Sequence, residues 1–201
     1  MEKVVPLPVN GRSVDNASIS LDDRDDDALM LMARAGVERA FELLVKRHQG
    51  LALGTAVKYL GDPLLAEDIA QNSFLDLYRH VAVYRAEGKF RSFLAKIVIN
   101  NCRMANRRHR SEVNTRQGFR FSQPEARQDA VEILQREQQQ VLDAAVQRLA
   151  PKLKEVVVLR YSADMSYKEI ADTLGIRLGT VKSRLFAGIE KLSRALEAME
   201  R

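Results

Sequence analysis

With 201 residues, 46% of them hydrophobic, and a net charge of +5, the chain can bury a real core and is neither a disordered polyanion nor a basic tail. Only 10 Gly, 5 Pro and 6% aromatics, against abundant Leu, Ala, Glu, Lys, Arg and Gln, favour helices over sheets and predict an all-α protein. The lone Cys102 excludes an internal disulfide, and the absence of a CxxC or His-rich neighbour excludes a structural zinc site.

Residues 1–26 mix Pro, Asn, Ser, Asp and Gly without periodicity and are predicted to be a flexible acidic lead with no chemistry of its own. Its run LDDRDDD supplies no fixed cage for a metal, because consecutive carboxylates on a mobile segment point in many directions. The run reads instead as a solvated start to the helix that follows, whose positive end favours acids. No stretch here has the apolar length of a signal peptide, and no later run approaches the ~18 apolar residues of a membrane helix. The expectation is a cytoplasmic chain without membrane insertion.

From residue 27 to residue 110 the pattern is helical. Leu29, Met32 and Ala33 start one apolar stripe, and Val37, Ala40, Phe41, Leu44 and Val45 continue another at three and four spacing. Gly61, Asp62 and Pro63 end one helix and open the next, with Pro suited to a first turn. In that next helix Ile69, Phe74, Leu77 and Tyr78 or Val81 are predicted to face inward, leaving Glu67, Asp68, Gln71, Asn72 and Asp76 outside. A turn over Ala86 to Lys89 is centred on Gly88, and a stripe of Phe90, Phe93, Leu94, Ile97 and Val98 follows. The end of that helix turns basic: six Arg stand against Glu112 between Arg103 and Arg120, which suggests a polyanion partner.

Periodicity stops over 111–129, a predicted flexible linker, and resumes in a second helical domain over 130–201 with a pause at Ala150 and Pro151. Ser166 and Glu169 have capping-box spacing, so a helix is predicted to start at Tyr167. Ile170, Ala171 and Leu174 give it a buried side, Gly175 permits a turn, and Val181, Leu185 and Leu192 line the inner face of the next helix. This is a helix-turn-helix, whose second helix offers its exposed residues to the major groove. Those residues are Lys182, Ser183, Arg184 and Phe186, with Thr180 near the helix start suited to a phosphate.

The segment LAPKLKEVVVLRYSADMSYKEIADTLGIRLGTVKSRLFAGIEKL, with GTVKSRL after SYKEIA, resembles the C-terminal DNA-binding domain of bacterial sigma factors. Independently, AFELLVKRH, AEDIAQNSFLDLY and YRAEGKFRSFLAKIVINNC resemble the first conserved domain of the small extracytoplasmic-function sigma factors. The resemblance implies a two-domain factor that binds core RNA polymerase, directs it to promoters and helps open the duplex, with no catalysis and no cofactor. It places the polymerase-binding surface on Asp68, Gln71, Asn72, Leu75 and Asp76. It places capture of the minus-ten element on Tyr84, Arg85, Lys89 and Phe90, with Asn100 in the pocket and Arg103 and Arg107 along the strand. Reading of the minus-thirty-five element falls to Thr180, Lys182, Ser183, Arg184 and Phe186. An anti-sigma factor is the further partner implied.

The chain departs from the family pattern in three places: Phe93 stands where a tryptophan is usual, Asn72 where a glutamate is common, and Ala187, Gly188 and Ile189 where an arginine-rich turn often follows. A second reading, a dimeric helix-turn-helix regulator, leaves the domain before the linker without a purpose. An enzyme is the third; its carboxylates lack metal-ligand spacing and His48, His80 and His109 are far apart in sequence.

Overall fold

The computed structural model describes residues 20–113 and 130–198. Residues 1–19 of the predicted lead, 114–129 of the predicted linker and 199–201 lie outside the described residues. The described residues form eight α-helices and two single 3-10 turns: α1 (Asp26–Arg34), α2 (Glu38–Leu60), α3 (Pro63–Arg79), α4 (Phe90–Val113), α5 (Ala130–Arg148), α6 (Pro151–Tyr161), α7 (Tyr167–Leu174) and α8 (Leu178–Glu197).

Local chemistry sets most of the boundaries. Gly61 closes α2 in the left-handed region at φ 74°, donating its N–H to the Val57 carbonyl, and Asp62 caps α3 by accepting from the Leu65 amide with Pro63 in the first turn. The acidic run opens α1, in keeping with its reading as a helix start, but it is bonded into the fold and is neither purely solvated nor, over residues 20–26, part of a flexible lead. Leu21–Asp23 form a 3-10 turn, and the Asp25 side chain caps α1 by accepting from the Ala28 amide. Helix α4 also runs three residues past the predicted domain end, to Val113.

Helices α1 to α4 pack around α2, burying Leu29, Met30, Leu44, Leu77, Leu94, Val98 and Ile99. Helices α5 to α8 pack around α8, burying Val156, Leu159, Ile170, Val181 and Leu185. Gly188 admits the closest approach in this second group: a Cβ there would lie 2.7 Å from Val157 Cγ2. The two groups also touch, α2 against α5 and α6 and α4 against α7, so one apolar cluster runs from Leu29 to Leu185. Cys102 is wholly enclosed in it, and burial pushes its thiol pKa up to about 12. Among the described residues no helix is long and apolar enough to cross a membrane.

Candidate nucleic-acid interface

The helix-turn-helix is built from its caps outward. The Ser166 hydroxyl accepts from the Glu169 amide at 3.2 Å while the Glu169 carboxylate accepts from the Ser166 amide at 2.8 Å, the reciprocal capping box. Burial pushes the Glu169 carboxyl up, but the Ser166 hydrogen bonds and the nearby Arg91 outweigh it and hold the pKa below the ordinary value. Gly175 ends α7 at φ 64°, and α8 follows with no side-chain cap at Arg177, so its first turn faces outward without a resident acceptor from the cap residue. Val181 and Leu185 then point into the core while Lys182, Ser183 and Phe186 point to solvent, Phe186 at 73% exposure. Thr180 and Arg184 are half-buried beside them, and the Ser183 hydroxyl donates back to the Thr180 carbonyl. A phenyl ring this exposed on a rigid helix is apolar surface without an internal partner.

The second predicted surface is differently made. Tyr84 and Phe90 are 5% and 3% exposed and lie in the core, their ring centroids 6.1 Å apart, with Phe93 and His48 packed on either side. Neither ring is open as a stacking platform in this arrangement. The reason is Asp27, which accepts from the Tyr84 hydroxyl at 2.5 Å and from the Gly88 amide at 2.6 Å and so ties the turn down to α1. Burial, then the hydrogen bond and charge of Asp27, raise the Tyr84 pKa far above that of a free phenol. Arg85, Lys89, Asn100 and Arg107 remain exposed. Asn100 Oδ1 accepts from Arg103 Nη1 at 3.1 Å, and Arg103 itself is engaged elsewhere: its Nε and Nη2 donate to the two Glu155 oxygens at 2.6 and 2.7 Å. That pairing is bidentate and raises the Arg103 pKa further.

The third predicted surface lies on the outer side of α3. Asp68, Gln71, Asn72 and Leu75 are exposed in one row at helical spacing, Leu75 at 54%. Asp76 sits at the row's inner margin, accepting from Arg79 and from Asn101 Nδ2, both at 3.0 Å. Tyr78, one of two residues offered for the inner face, is 49% exposed, while Val81 is half-buried.

Several participants are absent from the interface residues picked from sequence, although the sequence marks Glu169 as a cap and Asp27 as part of the acidic run. Asp27, Arg91, Glu155, Glu169 and Asp172 each bond to the predicted surfaces or flank them. Glu155 left one trace: Lys154 and Glu155 interrupt an otherwise apolar run, and both are buried. Lys154 Nζ donates to Gln147 Oε1 at 2.9 Å and lies over the Tyr59 ring.

Comparison with known proteins agrees in order and extent. The family described as "Sigma-70 region 2" matches residues 44–112, and "Sigma-70, region 4" matches residues 139–192. The RNA polymerase sigma-H factor of Pseudomonas aeruginosa is 29% identical over 90% of this chain and 98% of its own length. The ECF RNA polymerase sigma-E factor of Haemophilus influenzae is 25% identical over 87% of this chain and 96% of its own. Among solved structures, CnrH in complex with the cytosolic domain of CnrY superposes with a TM-score of 0.65 at 28% identity, covering 86% of this chain and 97% of that one. The region 2 match accounts for the first helical group, which a dimeric regulator leaves unexplained. With one family region on each helical group and relatives that span nearly the whole length, the chain belongs to the sigma-70 family of RNA polymerase sigma factors, in its extracytoplasmic-function group.

Proposed function

We propose that this chain, an alternative sigma factor that directs RNA polymerase to specific promoters, divides its contacts among three surfaces on two domains, residues 27–110 and 130–201. Core polymerase docks on the α3 row of Asp68, Gln71, Asn72 and Leu75, with Asp76 shaping its margin; one exposed leucine ringed by acid and amide groups suits a partner helix. The minus-ten element meets Arg85, Lys89, Asn100, Arg103 and Arg107, whose charge follows an opened strand's phosphates, while Tyr84 and Phe90 shape the turn from within. The minus-thirty-five element meets Thr180, Lys182, Ser183, Arg184 and Phe186 in the major groove. With Ala187, Gly188 and Ile189 after Phe186, phosphate contacts downstream of the reading residues are few, so base contacts carry more of the selectivity. CnrH was solved bound to the cytosolic domain of CnrY; for this chain, which acts in the cytoplasm, an anti-sigma protein is the regulator expected.

The observation that carries this reading is the outward presentation of Lys182, Ser183 and Phe186 on α8, fixed by the capping box, the Gly175 turn and the buried Val181 and Leu185. Core polymerase supplemented with this chain is expected to start transcription at a restricted set of promoters, mapped genome-wide. Arg184→Ala is expected to lower use of promoters that depend on the upstream element by about tenfold, the scale of about 1.4 kcal/mol for one guanidinium-to-base contact, with capture of core polymerase unchanged. Loss of polymerase capture by Arg184→Ala, or a supplemented core that starts nowhere in particular, overturns the assignment.

A further inference from the structure

Two glycines inside α2 are not required by the packing of the described residues. Glycine in a helix interior costs about 1 kcal/mol against alanine. Yet among the described residues a Cβ at Gly50 would meet nothing within 4 Å, and one at Gly54 would meet the Ser162 carbonyl at an ordinary 3.9 Å. Arg47, Gly54 and Lys58 share one face of α2 at seven and four spacing, with Gly50 beside it. At one end of this face Arg47 Nη1 donates to the Arg24 carbonyl at 2.7 Å and Nη2 to the Asp22 carbonyl at 2.5 Å, which fixes the point from which residues 1–19 depart. At the other end Lys58 Nζ donates to Asp143 Oδ1 at 2.6 Å, at the rim of a groove of about 440 Å³. Its walls include Leu142 and Val146 of α5, Tyr161 of α6, and Ile189, Leu192 and Leu196 of α8. Tyr161 is 64% exposed.

We propose that this groove seats the chain's own apolar run VVPLPV, Val4 to Val9, which reaches it along the glycine face of α2. The span fits. Arg47 to Lys58 is 11 residues of helix, about 16 Å, and the connecting residues 10–19 reach up to about 33 Å when extended. The chemistry fits as well. Val4 to Val9 is the one continuous apolar run in residues 1–19, and it matches a groove walled by leucine, valine and isoleucine. Proline fixes its own φ and turns its predecessor away from α backbone, so a run punctuated by Pro6 and Pro8 gives up little conformational freedom on docking. An apolar groove with a tyrosine at its mouth is the kind of surface that takes such segments. A bare glycine track explains why α2 tolerates two costly residues: a passing chain needs the room that side chains at 50 and 54 would fill. The docked run covers none of Lys182, Ser183, Arg184 or Phe186, which do not line the groove. It acts instead as an internal competitor: a protein helix that uses the groove must displace it, and the apparent affinity is reduced by the fraction of molecules left uncovered.

The chain has no tryptophan, so Tyr161→Trp places a single reporter at the groove mouth of the full-length protein. In that background Val5→Asp with Leu7→Asp charges the run, and Ser13→Asp with Ser18→Asp adds the same charge outside it. The run variant is expected to raise acrylamide quenching of the reporter about fivefold over the control, as release of a groove covered in about 80% of molecules requires. A synthetic peptide of residues 1–19 added to the run variant is expected to restore protection, and the same peptide carrying both acids is not. Ser193→Trp, an exposed site on α8 that also lines the groove, is expected to repeat the pattern and serves if Tyr161→Trp disturbs the fold. Equal quenching in the run variant and the control overturns the proposal. Occupancy by the chain's own segment is independent of concentration, so roughly hundredfold dilution is expected to leave quenching unchanged. Protection that disappears on dilution assigns the groove to a second copy of the chain and also overturns it.

Discussion

Asp26 and Asp27 are neighbours in an acidic run, yet each has a separate structural task. Asp27 holds the turn through Tyr84 and Gly88, whereas Asp26 accepts from Arg47 Nη1 at 3.2 Å and pairs with His48 Nε2 at 2.8 Å. Burial pushes the Asp26 carboxyl up, but His48 and Arg47 together outweigh it and hold its pKa below 3.8. A lowered carboxyl pKa adds stability that is present above 3.8 and is lost as the pH falls through the folded value. Asp26→Asn is therefore expected to cost on the order of 1 kcal/mol at pH 5, a modest figure because the pair is partly exposed, and the difference from the parent is expected to shrink below pH 3.8 in urea melts. None of this was legible from the run itself. The partners lie 21 and 22 residues away for Asp26 and 57 and 61 for Asp27, and seven residues rich in aspartate look alike whether solvated or bonded.

At the scale of elements the sequence was far more readable, because helix ends are decided within four residues. The capping box at Ser166 and Glu169, the left-handed Gly175, and the Gly61, Asp62, Pro63 boundary all stand where the spacing predicts them. Packing between helices was not readable at this level, and Gly188 shows why. A helix-interior glycine signals only a loss of about 1 kcal/mol against alanine. Its role appears once α6 is laid against α8 and the missing Cβ admits Val157, a stiff β-branched side chain that is 4% exposed. Gly188→Ala is expected to destabilise the second domain, since overpacking costs about 1–3 kcal/mol against that gain in helix propensity. In a Val157→Ala background the same change is expected to be stabilising, and a double-mutant cycle by thermal melting reads the reversal of sign.

For the whole molecule, two helical groups were legible from sequence as separate patterns on either side of an aperiodic stretch, and their contact was not. That contact is made by residues such as Arg103 and Glu155, 52 positions apart, whose matching belongs to the folded surface and to no local motif. Because one apolar cluster crosses the junction, calorimetry of the parent chain is expected to show a single cooperative transition. A Glu155→Gln, Glu169→Gln, Asp172→Asn variant is expected to split it into two; a parent that already melts in two steps contradicts the continuity of that cluster. The enclosure of Cys102 has a practical corollary. A thiol with no solvent access and so little thiolate at neutral pH gives peroxide or disulfide reagents little to attack, so Cys102 is expected to stay reduced in the folded chain and to resist alkylation until the protein unfolds.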